Sequence, residues 1–180
     1  MHRIEAYVRL ALIFIGVIAV LYLPVLFYLK KRGKSALRQL GVLGLGCSLF
    51  LIVFATILFV PITVFPAQHV LNLRPFAWVG TVDTLSQFIV EKVPNVLLFV
   101  PLGFFLPIVF GGLRKFYRTV CVNLAVTFCV EFFQYFIGRS SDVDDIIMNL
   151  LGAVTGYLLF RLLHGIWKET KWWKSLIGCR

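Results

Sequence analysis

Val130-Glu131-Phe132-Phe133-Gln134-Tyr135-Phe136-Ile137-Gly138-Arg139-Ser140-Ser141-Asp142-Val143-Asp144-Asp145 closes one long apolar run, turns, and opens the next. Four of the chain's eight carboxylates lie in it, and one of them, Glu131, sits inside the apolar run itself. A charge at membrane depth is costly and persists where it faces a bundle interior and has a partner or a task. The stretch therefore reads as the outer end of one transmembrane helix, an acidic turn, and the start of another.

The rest of the chain agrees with a lipid solvent. Its 180 residues are 60% hydrophobic and 14% charged, with a mean hydropathy of +0.92, whereas soluble domains carry about 25% charged residues. Five runs approach the roughly 20 apolar residues that a spanning helix needs: about 6–29, 40–60, 94–113, 119–137 and 146–163. They are continuous and lack the alternation of barrel strands. The expectation is an all-α polytopic bundle of about five transmembrane helices, forming a single membrane domain over 1–180. The first run is too long for a cleavable signal peptide, and no small-residue cleavage site follows it. Cys47, Cys121, Cys129 and Cys179 have no metal-ligand spacing, and neither disulfides nor a metal centre is expected.

Charge sets an orientation. The loop at 30–38, the loop at 114–118 and the tail from Arg161 hold thirteen of the eighteen Lys and Arg residues. Placing them on one side leaves seven of the eight carboxylates on the other. The positive-inside rule then puts the amino terminus outside and the carboxyl terminus in the cytoplasm, with loops 61–93 and 138–145 external. The net charge of +10 follows from topology, with attraction to anionic lipid as a second effect, and needs no nucleic acid. Trp167, Trp172 and Trp173, interleaved with lysines in a tail over 164–180, read as an interfacial anchor.

Polar residues converge at one depth. Glu131 precedes Gly138 by seven residues, so it lies roughly 10 Å below the outer end of its helix. Asn149, seven residues after Asp142, reaches the same depth on the returning helix, and Asn95 lies near the outer start of the third run. Asp142, Asp145, Asn149, Gly152 and Gly156 form one helical stripe. Its lower part is a small-x-x-x-small pattern that admits a close neighbour. Asp144 falls off that stripe, toward water. Pro101 and Pro107 imply a kink or unwinding in the third run.

Each residue has a structural reading beside a functional one. Asp142 can cap the fifth helix with Asp145 in its first turn. Arg139 can pair with Glu131 or Asp145, and Asn149 and Gln134 can be interhelical glue. Ser140 or Ser141 with His69 and an aspartate fits no known triad spacing. Oxygen ligation of a divalent cation by the acids is an alternative without a metal-site spacing behind it. The clustering itself argues for a site, because Glu131 offers no packing advantage over an apolar residue.

In order, the chain shows Asn72-Leu73-Arg74-Pro75-Phe76, then Asn95-x3-Phe99-x-Pro101-Leu102-Gly103. Glu131-x2-Gln134 follows, then Gly138-Arg139-x2-Asp142-x2-Asp145 and Asn149-x2-Gly152-x3-Gly156. Over about 70–163 this pattern resembles the VanZ-like family. The resemblance implies a bacterial cell-membrane protein that lowers susceptibility to lipoglycopeptides such as teicoplanin. The expected site is an outward-facing pocket with Glu131 and Arg139 as its charged core, Asn95, Gln134 and Asn149 as hydrogen-bonding groups, and Asp142 and Asp145 beside them. Its expected partners are membrane lipids and lipid-linked wall precursor or the lipoglycopeptide itself. Two rivals to a binding or shielding module stand. One is an envelope-modifying enzyme with Glu131 or Asp145 as acid/base; the other is a lipid or small-molecule transporter.

Overall fold

The computed structural model describes residues 2–58, 71–76, 79, 85, 89 and 92–178. His69, Ser86 and Cys179, and most of the long loop at 61–93, lie outside the described residues. Helix α1 spans His2–Lys31 and α2 spans Ala36–Val53, the latter running into a wider π-turn at Phe54–Leu58. A two-residue strand β1 (Leu71–Asn72) precedes α3 (Val93–Val109). After a single 3-10 turn come α4 (Phe116–Phe136), strand β2 (Ser141–Asp142), α5 (Val143–Trp167) and the short α6 (Lys171–Ile177).

The chain is thus an all-α membrane bundle. Among the described residues four helices are long and apolar enough to cross a membrane: Leu12–Lys31, Ala36–Ile57, Phe116–Phe136 and Val143–Trp167. The third expected span is a shorter apolar helix, 17 residues in place of the run over 94–113. At 1.5 Å per residue it is about 25 Å long, a little less than the hydrocarbon core. It ends because Phe110 turns extended and Gly111-Gly112 follows. The expected unwinding at Pro101 and Pro107 is not seen, and α3 runs through both prolines. Arginines bind its terminal carbonyls instead: Arg38 reaches Ile108 O (2.6 Å) and Val109 O, and Arg114 reaches Pro107 O (3.3 Å).

Helix α3 is the buried axis, packed chiefly against α5 and then α2. In lipid, apolar side chains gain little by leaving their solvent, so close packing and interhelical hydrogen bonds hold helices together. Glycines make that approach possible. A Cβ on Gly152 would sit 2.0 Å from Val96 O, one on Gly156 2.0 Å from Val100 O, and one on Gly103 2.0 Å from Ala153 O. These contacts are backbone, so no rotamer change relieves them. Gly156→Leu is accordingly expected to cut the yield of folded protein severalfold, measured by size-exclusion profile in detergent. An unchanged profile and melting temperature would contradict close packing here.

Helix α1 is different. None of its apolar window is buried. It meets α2 through Phe14, whose ring lies 5.7 Å from Phe50 and 5.6 Å from Phe54, and through Tyr22 Oη, which donates to Gln39 Oε1 at 2.7 Å. The tryptophan tail does more than anchor. Helix α6 folds back under the bundle, burying Trp173 against Phe160 and donating its Nε1 to His164 Nδ1 at 2.8 Å, while Trp172 stays exposed.

Candidate functional site

At the end of the bundle opposite α6, the turn after α4 doubles back over that helix's last residues. Gly138 makes the reversal with φ of 82°, a left-handed conformation that glycine adopts without strain. The turn brings Ser141 Oγ and the Asp142 backbone N–H to one oxygen of Glu131, each donating to Oε2 at 3.1 Å. Oε1 accepts nothing among the described residues. Glu131 is 4% exposed, so this anchored carboxylate is a buried wall of a cavity of about 680 Å³.

Asp142 caps α5, accepting from the Asp144 N–H at 2.9 Å. Its other oxygen meets Lys92 Nζ at 3.2 Å, and Asp145 meets the same ammonium at 2.9 Å. Lys92 is therefore the counter-charge of the acidic turn, although its side chain is only 6% exposed. Burial pulls its pKa down, but the bonds and charges of Asp145 and Asp142 outweigh that and hold it above the ordinary lysine value. Stability from a raised lysine pKa is fully present below the unfolded value and lost as pH rises through the folded one.

Among the described residues Arg139 makes no direct ion pair with Glu131 or Asp145. Its Nη1 donates to the Thr56 carbonyl at 2.9 Å, and Gln134 Nε2 donates to the same oxygen at 3.3 Å. The π-turn of α2 makes this possible. At a helix end the last carbonyls lack intrahelical donors, and this one is satisfied by side chains of the neighbouring segment. Asn149 Nδ2 donates to Thr127 Oγ1 at 2.7 Å, joining α5 to α4. Two buried amide oxygens, Gln134 Oε1 and Asn149 Oδ1, have no partner among the described residues. Asn95 stands on the cavity wall contributed by α3.

Asp144 does not face water. It is fully buried, and its Oδ1 accepts from the Phe76 N–H at 2.7 Å. Phe76 adopts a left-handed φ of 58°, costly for a bulky residue and held here by that bond. Asn72 Nδ2 reaches Asp142 at 3.2 Å, and β1 pairs in parallel with β2, Leu71 opposite Ser141. The stripe reading failed because the loop segment 71–76 covers the far face of the α5 start.

The structure thus brings Asn95, Glu131, Gln134, Arg139, Asp142, Asp145 and Asn149 to one cavity, and keeps Pro101, Gly103, Gly152 and Gly156 in the packing below it. Sequence reasoning missed Lys92. Its position immediately before the Val93-Pro94-Asn95 helix start, on the side holding most acids, was the signal available. Among the described residues no cluster of three His, Cys, Asp or Glu side chains is arranged to hold a metal, and the Lys92 ammonium stands between Asp142 and Asp145.

Comparison with known proteins bears on most of the bundle. The chain matches the VanZ/LLP1 family over residues 12–164. It is 34% identical over 98 residues to Protein VanZ of Enterococcus faecium, an overlap of 53% of this chain and 55% of that protein. The chain thus spans about half the length of that relative. No solved structure matches it.

Proposed function

Because the chain belongs to the VanZ/LLP1 family, we propose that it works in the bacterial cell membrane to lower susceptibility to lipoglycopeptides such as teicoplanin. It does so by binding or shielding lipid-linked wall material in the Glu131 cavity. The observation that supports this is the cavity's set of open acceptors. Gln134 Oε1 and Asn149 Oδ1 are buried oxygens without donors among the described residues, and both hydrogen bonds to Glu131 end on Oε2. Buried acceptors are costly unless satisfied, so they suit a ligand rich in hydroxyl and amide N–H groups, as saccharide-peptide wall precursors are. Glycopeptides bind the D-Ala-D-Ala end of those precursors, and their lipid tails insert in the leaflet this cavity faces when the acidic turn is external.

That orientation, with the amino terminus outside and the carboxyl terminus cytoplasmic, rests on the charge asymmetry of the loops. Ser140 is exposed on the acidic turn, whereas Ser141 is buried and poorly suited to labelling. In a cysteine-free background, impermeant maleimide added to intact cells is expected to modify Ser140→Cys and to spare Gly112→Cys on the opposite face. The reverse pattern would invert the topology and remove the proposed access from the outer leaflet.

A membrane enzyme is the second reading, favoured by the free Oε1 of an otherwise fixed Glu131, a geometry open to a general base. Incubation of purified protein with lipid-linked precursor separates the two. Saturable binding without product supports the module, and turnover supports the enzyme.

A further inference from the structure

A second cavity, also about 680 Å³, lies at the other end of the bundle, between the α1–α2 turn and α6. Four cationic side chains line it: Lys34, Arg38, Lys171 and Lys174. Among the described residues no carboxylate does. Glu169 reaches Lys174 at 3.0 Å from outside, but it is 80% exposed and offsets one charge of four. The wall also holds Gln39, which is nine-tenths buried and has its oxygen taken by Tyr22 Oη, so its amide hydrogens are what it can offer a ligand. Ser35 and Ser175 hydroxyls, 2.5 Å apart, tie the two sides of the cleft together.

We infer that this cleft seats the phosphate of an anionic phospholipid. Lysines, amide N–H groups and hydroxyls converging on one half-open cleft form a donor set for a phosphate. Its surroundings favour a lipid over a free anion. The cleft opens where α1 ends, and α1 presents an unburied apolar window over Leu12–Lys31. Val42 lines the cleft, and Trp167 and Trp172, 5.0 Å apart, mark the interfacial level where tryptophans accumulate. A head group held here would bridge α6 to the α1–α2 turn. This site is independent of the Glu131 cavity and of the drug phenotype proposed for it.

The test uses the full chain purified in detergent, with melting temperature and native mass spectrometry as readouts. Phosphatidylglycerol is expected to raise the melting temperature by several degrees and to remain bound, while phosphatidylcholine does neither. The triple variant K34Q/K171Q/K174Q is expected to lose the shift and to retain at least tenfold less phosphatidylglycerol. K30Q/K31Q, which changes basic residues outside the cleft, should keep both. Equal effects of the two lipids, or equal loss in K30Q/K31Q, would overturn the assignment in favour of general surface charge. The same shift from inorganic phosphate or glycerol 3-phosphate at matched concentration would overturn the lipid source. If the triple variant fails to fold, Lys171→Gln alone, at an exposed position, must still weaken retention; full retention there overturns the proposal.

Discussion

Glu131→Gln is expected to abolish the proposed protection against teicoplanin while the protein accumulates in the membrane at normal level. The amide keeps the length and shape of the side chain, and its oxygen can accept from both Ser141 Oγ and the Asp142 N–H. Two charge-assisted bonds become neutral ones, a loss on the order of 1 kcal/mol. The larger change is at the open position. A carboxylate oxygen that can accept from a ligand, or take its proton, becomes an NH2 that can only donate. Cells expressing the variant should show the drug susceptibility of cells lacking the protein, with equal amounts on a membrane immunoblot. Full protection by the variant, or loss of protection only through loss of protein, would show that Glu131 fastens the turn to α4 and nothing more.

Lys92→Met is expected to be the most destabilising single change near the cavity. Breaking a buried ion pair by removing one partner costs about 3–5 kcal/mol, because the remaining charge stays behind uncompensated. Here two carboxylates are left behind, but they are 20% and 23% exposed. Water therefore tempers the loss to about 2 kcal/mol, or a fall in melting temperature of about 6 °C for a chain of this size. Asp145→Asn in the Lys92→Met background should recover part of it, since one of the repelling charges is removed. A Lys92→Met protein as stable as the parent would mean that the acidic turn is held by its backbone bonds alone.

The two predictions differ in how visible their residues are in the sequence. Glu131 stands out because its neighbours are apolar, and the spans were legible because a hydrocarbon solvent leaves so few other compositions possible. The glycine stripe was equally readable, since Gly152 and Gly156 recur at helical spacing. Lys92 was hidden because its partners are fifty residues away, and charge counting places a lysine on a side without saying what it touches. Asp144 was misplaced for a related reason. Helical spacing gives the face on which a residue lies, but the segment that covers that face, here Asn72–Phe76, comes from a loop with no periodicity of its own. Pairing of Arg139 with Glu131 or Asp145 was one of two readings open in the sequence, whereas the π-turn of α2 offers it a carbonyl that composition does not reveal. The continuity of α3 through Pro101 and Pro107 belongs to the same class, because tight packing by α2 and α5 holds a helix that its prolines would loosen in isolation.

The most direct test of the cavity as the binding site is position-specific capture in living cells. Leu98 lines the cavity, while Leu97, its neighbour on the same helix, is 64% exposed on the outside of the bundle. A photoreactive phenylalanine analogue placed at each position in turn, followed by irradiation and lipid analysis of the purified protein, compares the two surfaces at the same depth. The account predicts lipid-linked wall precursor attached at Leu98 and bulk phospholipid alone at Leu97, with the precursor adduct absent when Glu131→Gln is combined with the Leu98 probe. Bulk phospholipid alone at both positions would contradict it.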